Sequence, residues 1–402
     1  MTVHIRNWRH CVAAVILGAG MIEGNLAAGA NPLAGWQAAV ARADTGKEPL
    51  SVVCIGDSNT EIFGYAGALR LLLQSAYGNR GFGYYTFAKR MEELPDAPKI
   101  ARAGKWDLFD IAIDPKDPAP PKPWLAPDGL WCSTSDPAAE IAVSLPYASH
   151  RIRLHYQKGP GLGGFEIRPT GGKPIPVACA ANMDGYGVTE FTAREFKLAG
   201  FQGKAVLFGL DAESVLMAGG AVLHQLGNGW AMAHHYAAME QESYDTFLRL
   251  ARPGLIVVLL GTNDMNNGWE ARGYAEQLRM LLAKLRRASP GTSILVLSAP
   301  SCTFDRKQLS AAFSAAAKAV AAESGAAFWD LEKYVGENWR YWDSAGAMEY
   351  TLHYRPASGL RLALELVKVL GWDPYATAHQ PLVTHPADLL APNVKPAERG
   401  KP

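Results

Sequence analysis

Two stretches of this sequence combine glycine with side chains able to act on a ligand. Gly56-Asp57-Ser58-Asn59 follows the apolar run 51–55 (SVVCI), and Gly261-Thr262-Asn263-Asp264 follows the run 255–260 (LIVVLL). A further residue of useful chemistry, His353, stands shortly before a C-terminal segment of helical periodicity. A serine hydroxyl becomes an effective nucleophile when a neighbouring base takes its proton, and imidazole titrates close enough to neutrality to be that base. In open α/β sheets ligands bind beyond the carboxyl ends of the strands, which is where both glycine-led stretches fall. Without context, Gly-Asp-Ser is an ordinary helix N-cap that satisfies orphan backbone donors, and Asn-Asp is a turn that bonds its own backbone.

The elements that would position these residues are legible from periodicity. After 51–55, Leu69, Leu72, Leu73 and Ala76 recur at helical spacing before Gly78, so strand, turn and helix succeed one another. The run 255–260 is of the kind buried on both faces of a parallel sheet. Tyr274, Leu278, Leu281, Leu282 and Leu285 form the next helical stripe, followed by a strand at 293–298 (SILVLS), an alanine-rich helix from about 306 to 324, a strand at 326–329 and an amphipathic helix from about 358 to 370. Strands alternating with helices predict a parallel sheet covered on both faces, a three-layer α/β/α domain.

Between about 99 and 225 that rhythm changes. A Pro/Asp-rich loop at 114–128 precedes period-two runs such as Ile152/Leu154/Tyr156 and Phe165/Ile167, with glycine-rich turns at 159–164 and 171–172. Short strands at regular spacing predict an inserted antiparallel β-sandwich. The expected organisation is an α/β domain in two parts, 31–98 and 226–372, interrupted by a β domain at 99–225. A tail at 373–402, with six prolines, reads as extended or disordered.

Composition narrows the function further. The 402 residues include 39 basic and 38 acidic side chains without a charge run, which argues against nucleic acid as a partner. With 49% hydrophobic and 19% charged residues the chain reads as globular. The strongly apolar stretch 11–22 is too short to span a bilayer of about 30 Å. Preceded by Arg6 and Arg9 and followed by Ala28-Gly29-Ala30, it makes residues 1–30 a secretory signal peptide, so the expected location is periplasmic or secreted. Export would permit disulfides; Cys54 lies in an apolar run and reads as a packed thiol, whereas Cys132 and Cys179 share the β-rich region and could pair. No metal-ligand spacing is present: there is no CxxC, and His234 and His235 are adjacent and diverge on a helix.

In order and setting, these motifs resemble the SGNH/GDSL hydrolases, serine esterases named for four sequence blocks. Gly56-Asp57-Ser58 is similar to the first block, whose serine is the nucleophile, and Gly261-Thr262-Asn263-Asp264 to the third, whose asparagine helps form the oxyanion hole. Leu226-Gly227-Asn228-Gly229-Trp230 resembles the second block, whose glycine N–H points into the same hole; that role falls to Gly229, with Gly227 as the alternative. His353 stands where the family has its general base. The segment 69–74 with Tyr77-Gly78-Asn79-Arg80-Gly81 resembles bacterial members that carry a carbohydrate-binding-module-like insertion, a subgroup that includes peptidoglycan O-acetylesterases.

The resemblance implies a flavodoxin-like sheet and acyl transfer: Ser58 attacks a carbonyl, Ser58 N–H, Gly229 N–H and the Asn263 amide hold the oxyanion, and water activated by His353 releases the acid. The chemistry needs no cofactor or metal. One position departs from the pattern, because Tyr350 stands where the family has an aspartate three residues before the histidine. A phenol of pKa about 10 offers no negative charge to an imidazolium, and changing the triad Asp to Asn in serine proteases costs about 10⁴ in kcat. Glu349 or a backbone carbonyl would have to take over, so a slow Ser58–His353 dyad, unaided or assisted by Glu349, is expected. Asp57 and Asp264 are expected to shape turns and Asp330 to cap a helix. The expected function is an exported esterase that removes O-acyl, above all O-acetyl, groups from a polysaccharide such as peptidoglycan, with Trp124 and Trp131 of the insertion available to stack on sugar rings. The rival readings are a catalytically impaired carbohydrate-binding protein and a polysaccharide O-acetyltransferase.

Overall fold

A computed structural model describes residues 31–88, 96–112, 120–146, 150–303, 305, 309–335, 339–349 and 351–374. The expected signal segment, Tyr350 and nearly all of the proline-rich tail lie outside the described residues. The chain opens with α1 (Ala34–Ala43), β1 (Leu50–Gly56), the one-turn helix α2 (Ser58–Glu61) and α3 (Gly64–Tyr77). A run of strands follows: β2 (Gly83–Thr86), β3 (Lys99–Ala103), β4 (Asp107–Asp110), β5 (Leu130–Thr134), β6 (Glu140–Ser144), β7 (His150–Lys158), β8 (Gly164–Pro169), β9 (Ile175–Ala178), β10 (Gly185–Ala193), β11 (Glu195–Gln202) and β12 (Ala205–Ser214). Alternation then resumes with β13 (Ala221–Gly227), α4 (Ala233–Ala238), α5 (Gln241–Ala251), β14 (Leu255–Leu259), α6 (Thr262–Asn266), α7 (Ala271–Ala288), β15 (Ser293–Leu297), α8 (Ser310–Glu323) and β16 (Ala327–Trp329). The chain closes with α9 (Leu331–Val335), α10 (Trp339–Ser344), β17 (Met348–Glu349), β18 (His353–Tyr354) and α11 (Pro356–Val369). Among the described residues no helix is long and apolar enough to cross a membrane.

β13, β1, β14, β15 and β16 lie side by side in that order as a parallel sheet. β13, β1, β14 and β15 are buried at every residue, and alternate residues divide between two cores. Val52, Cys54, Val257 and Leu295 face Trp36 of α1, Leu69 and Leu72 of α3, and Leu362 of α11. Val53, Ile55, Val258 and Val296 face Phe247 of α5, Leu278 and Leu282 of α7, and Phe313 of α8. This two-sided burial is why β1 and β14 read as unbroken apolar runs, and each such Val or Leu contributes roughly 1.5–3 kcal/mol.

The insertion is a sandwich of two antiparallel sheets. One runs β10-β7-β12-β5-β4, with β2 also paired to β12; the other runs β3-β6-β11-β8-β9. Ile141, Val143, Phe165, Ile167 and Leu198 of the second sheet meet Ile152, Leu154 and Leu210 of the first in one core. Cys132 and Cys179 are both buried there as free thiols, so the bridge that the sequence allowed is not formed. The boundaries also differ from those expected at 99 and 225. β2 already belongs to the sandwich, through its pairing with β12, whereas residues 221–225 belong to a parallel-sheet strand. Neither is visible as a change of composition, because β2 is short and β13 carries His224 and Gln225 within an apolar strand.

The two units share both apolar and ionic contacts. Tyr84, Trp131, Tyr186 and Phe208 of the insertion join the core built on α5 and α7, with Tyr84 edge-on to Phe247 at 5.5 Å. Beside them, Arg153 of β7 donates through Nε to Asp211 Oδ1 of β12 (2.8 Å) and through Nη1 to the carbonyl of Leu250 in α5 (2.8 Å), and it also pairs with Glu213. Glu213 is shared with Arg80 (2.9 Å), whose Nη1 also reaches the carbonyls of Met217 and Gly219. Burial would raise the Asp211 carboxyl, but the His155 hydrogen bond at 2.7 Å and the Arg153 charge outweigh it and hold it at about 2. Removing one partner from such a buried pair costs about 3–5 kcal/mol, so Arg153→Ala is expected to destabilise the protein by that amount in urea unfolding. Because the Asp211 pKa is depressed in the folded state, its stabilisation is present above about pH 4 and is lost as pH falls toward 2.

Candidate active site

Three neighbouring strands, β13, β1 and β14, deliver their C-terminal exits to one edge of the parallel sheet. β1 leads into Asp57 and Ser58, β13 into Asn228 and Gly229, and β14 into Gly261, Thr262 and Asn263. This edge is where an open α/β sheet leaves room for a ligand. Ser58 opens α2, which is capped by Asp57 through Oδ1 accepting the Asn59 N–H at 2.9 Å. The helix lies against the strand ends because both strands finish in glycine. A Cβ on Gly56 would sit 2.2 Å from Thr60 Oγ1, and one on Gly227 would sit 2.1 Å from the Glu61 nitrogen. At the other end of α2, the Gln225 amide donates to the carbonyls of Glu61 (2.9 Å) and Ile62 (2.7 Å), which would otherwise be orphans.

His353 arrives from the opposite end of the chain, on the hairpin of β17 and β18 in which Glu349 and His353 are register partners. Its neighbour Tyr354 is buried edge-on to Trp342 at 5.9 Å. The following helix, α11, approaches α3 closely: a Cβ on Gly359 would lie 2.4 Å from the Gly64 carbonyl oxygen. The outcome is a distance of 2.9 Å between His353 Nε2 and Ser58 Oγ, across 295 residues of sequence. Burial lowers the imidazole pKa below its usual 6.5, and the Glu349 charge pulls it partly back. The ring is therefore neutral at neutral pH and able to accept a proton. Glu349 itself is exposed, and no hydrogen bond between its carboxylate and the imidazole is among the described contacts. Tyr350 lies outside the described residues.

The segment after β13 is fixed from several sides. Asn228 N donates to the Gly56 carbonyl (3.0 Å), and Ala231 N donates to the Asn228 carbonyl (3.1 Å). A trans peptide sets C=O and N–H in opposite directions, so tying the Asn228 carbonyl into this turn points the Gly229 N–H away from it. The Asn263 amide donates to the Ala231 carbonyl (3.1 Å), which uses one of its two N–H bonds and orients the other. The Asn228 side chain donates to Asp110 Oδ1 (2.8 Å) and to the Asp128 carbonyl (3.2 Å), both from the β domain. Gly227, the alternative to Gly229, is occupied in the contact with α2.

The remaining carboxylates have the structural roles expected of them. Asp57 caps α2, and Asp264 accepts the Ala233 N–H at the start of α4 (3.2 Å). Burial raises Asp57 to about 6 and Asp264 to about 7. Asp330 accepts Lys333 N (3.0 Å) and the Ser314 hydroxyl (3.0 Å). The aromatic expectation changes: Trp131 is only 4% exposed and stacks on Phe109 at 5.5 Å, so its face is covered. Trp124 has the Lys122 ammonium 5.3 Å from its ring centre and its Nε1 on the Pro120 carbonyl. The exposed ring at this edge is instead Trp230, which is 59% exposed and has a left-handed φ of 66°. Neither Trp230 nor Asp110 stands out in sequence, since the first depends on backbone conformation and the second on a contact between units far apart in the chain.

Residues 186–357, which include Asn263 and His353, match the GDSL-like lipase/acylhydrolase family. Over those residues this chain is similar to the GDSL/SGNH hydrolases. Ser58 precedes the matched stretch, and the fold brings it to His353, which lies within it. A solved peptidoglycan O-acetylesterase is similar in fold over 85% of this chain and 96% of its own, with a TM-score of 0.68 at 18% identity. An acetylxylan esterase from Geobacillus stearothermophilus overlaps 39% of this chain and 74% of its own, with a TM-score of 0.32 at 16% identity. A search of curated proteins finds no match. Gly227→Ala is expected to cost about 1–3 kcal/mol by overpacking α2, read as a lower melting temperature.

Proposed function

We propose that the protein is an exported serine esterase that hydrolyses O-acetyl esters on a polysaccharide, peptidoglycan being the foremost candidate. The observation that carries this reading is the 2.9 Å contact between Ser58 Oγ and His353 Nε2 at the carboxyl edge of the sheet. His353 takes the serine proton as Ser58 Oγ bonds to the acetyl carbonyl carbon. The carbonyl oxygen becomes an oxyanion held by donors from Ser58 N–H, Gly229 N–H and the Asn263 amide. As the ester C–O bond breaks, His353 gives the proton to the departing sugar oxygen; it then takes a proton from water, whose oxygen attacks the acetyl-serine carbonyl, and returns it to Ser58 Oγ as acetate leaves. Two observations support a polymer substrate: the β domain shares a core with the catalytic unit, and Trp230 offers a flat apolar ring next to Gly229. Export rests on the pattern of residues 1–30.

Acetate release from O-acetylated peptidoglycan is expected to vanish in Ser58→Ala. Release that persists would remove Ser58 from the reaction, and glycan binding without release in the unaltered protein would favour the impaired binding protein. Asn263→Ala is expected to lower kcat about 10²–10³-fold. The acidic limb of kcat/KM is expected below pH 6.5, because burial favours neutral imidazole; Glu349→Gln should move that limb lower still by removing the charge that raises it. A limb unmoved by Glu349→Gln would show that the carboxylate has no influence on the base. Trp230→Asn, chosen because asparagine tolerates a left-handed backbone, is expected to raise KM about 10-fold on the glycan and leave p-nitrophenyl acetate hydrolysis within twofold.

A further inference from the structure

Asn228 is fully buried, and its side-chain amide is gripped by groups that belong to the insertion. Asp110 ends β4, where it is the register partner of Leu130 in β5. Its Oδ1 accepts both Ala112 N (2.8 Å) and Asn228 Nδ2 (2.8 Å), so the carboxylate is itself held rigidly when it meets the amide. On the other side of the same amide nitrogen, the Asp128 carbonyl stands at 3.2 Å, in a turn whose own Oδ1 accepts Leu130 N at 3.1 Å. Gly129, with φ of 76°, closes this turn against Ile111, and a Cβ there would lie 2.3 Å from the Ile111 Cδ1 atom and 3.4 Å from Asn228 Nδ2. The strand ends on both sides of the β4/β5 pairing thus form a clamp around one side chain of the α/β domain.

We propose that the inserted β domain is part of the catalytic apparatus: Asp110, with the main chain of Asp128, positions Asn228 and through it the Gly229 N–H that receives the oxyanion. This rests on the esterase reading above. The physical reason is the peptide plane. Asn228 is anchored by its nitrogen to Gly56, by its carbonyl to Ala231 and by its side chain to Asp110 and Asp128. The first two bonds locate the residue beside Ser58; the side-chain pair resists rotation of the Asn228–Gly229 peptide about that anchor. An oxyanion donor stabilises the transition state only if it is aligned before charge develops, and small misplacements of reacting groups are costly. Asp110 is thus a positioning residue, acting on the reaction without touching substrate.

The test uses the whole chain and p-nitrophenyl acetate, a substrate too small to require a glycan-binding surface. Asp110→Ala is expected to lower kcat between about 10- and 100-fold with KM within twofold, and Asp110→Asn, whose amide oxygen can still accept from Asn228, to restore most of it. Unchanged kcat in Asp110→Ala would overturn the proposal. So would an equal loss in both variants that follows a drop in melting temperature, which would mark a folding defect. Hydrogen exchange over residues 228–231 supplies a reading independent of turnover: faster exchange in Asp110→Ala supports the clamp, and unchanged exchange overturns it. Ser58→Ala is measured alongside; if it hydrolyses the ester as fast as the unaltered protein, the esterase reading has failed, while hydrogen exchange still decides the clamp.

Discussion

The site depends on a close approach of backbone to backbone. α2 can rest on the ends of β1 and β13 only because Gly56 and Gly227 lack side chains, and a methyl group at either would fall within about 2.2 Å of α2 atoms. The height of Ser58 above the sheet follows from this contact, and with it the reach of His353. A one-turn helix has little stability of its own, since nucleation is unfavourable and so few internal bonds follow. It persists because Asp57 serves its first turn and Gln225 its last carbonyls. The position of Ser58 is thus determined by tertiary packing, while local propensity contributes little.

Buried charge is distributed with opposite sense in two places. At the seam between units, Asp211 and Glu213 are paired with Arg153 and Arg80, and their carboxyls lie below the ordinary range despite burial. At the sheet edge that carries Ser58, Asp57 and Asp264 are raised by burial to about 6 and about 7. A raised carboxyl favours the protonated folded state, so these two groups reduce stability as pH rises from about 4 through their folded pKa values, whereas the seam contributes stability over the same range. The protein therefore holds destabilised carboxylates beside Ser58 and Asn263 and compensates at the domain junction.

Much of this was legible in the sequence. The runs 51–55 and 255–260 are apolar at every position because both faces are covered, and that burial is a property of parallel sheets that periodicity reports well. The exits after them carried the site for the same reason. Gly229 and His353 needed the family resemblance, since a glycine at a loop and a histidine before a helix have many local explanations. The insertion showed itself through alternation at Ile152/Leu154/Tyr156, but its edges did not: β2 and β13 are assigned to their sheets by partners more than a hundred residues away. Trp131 was misjudged because its type suggests a sugar platform, while its burial against Phe109 is set by strand pairing. Asp110 gave no signal at all, since its partner Asn228 lies 118 residues distant.

The chain enters and leaves the β domain through one doorway. Asn79 bridges Ala221, Arg80 N donates to the Ala221 carbonyl at 3.1 Å, and Ala221 N donates to the Gly78 carbonyl at 2.8 Å. This juxtaposition bears on the order of assembly during folding. β1 and β13 must pair across the whole insertion, and closing a flexible loop of that length carries an entropic cost that delays non-local sheets. A β domain that folds first brings the two ends together and converts the long closure into a short one. In that order of events the insertion is a staple for the parallel sheet, and the edge that carries Ser58 is completed after the domain that interrupts it.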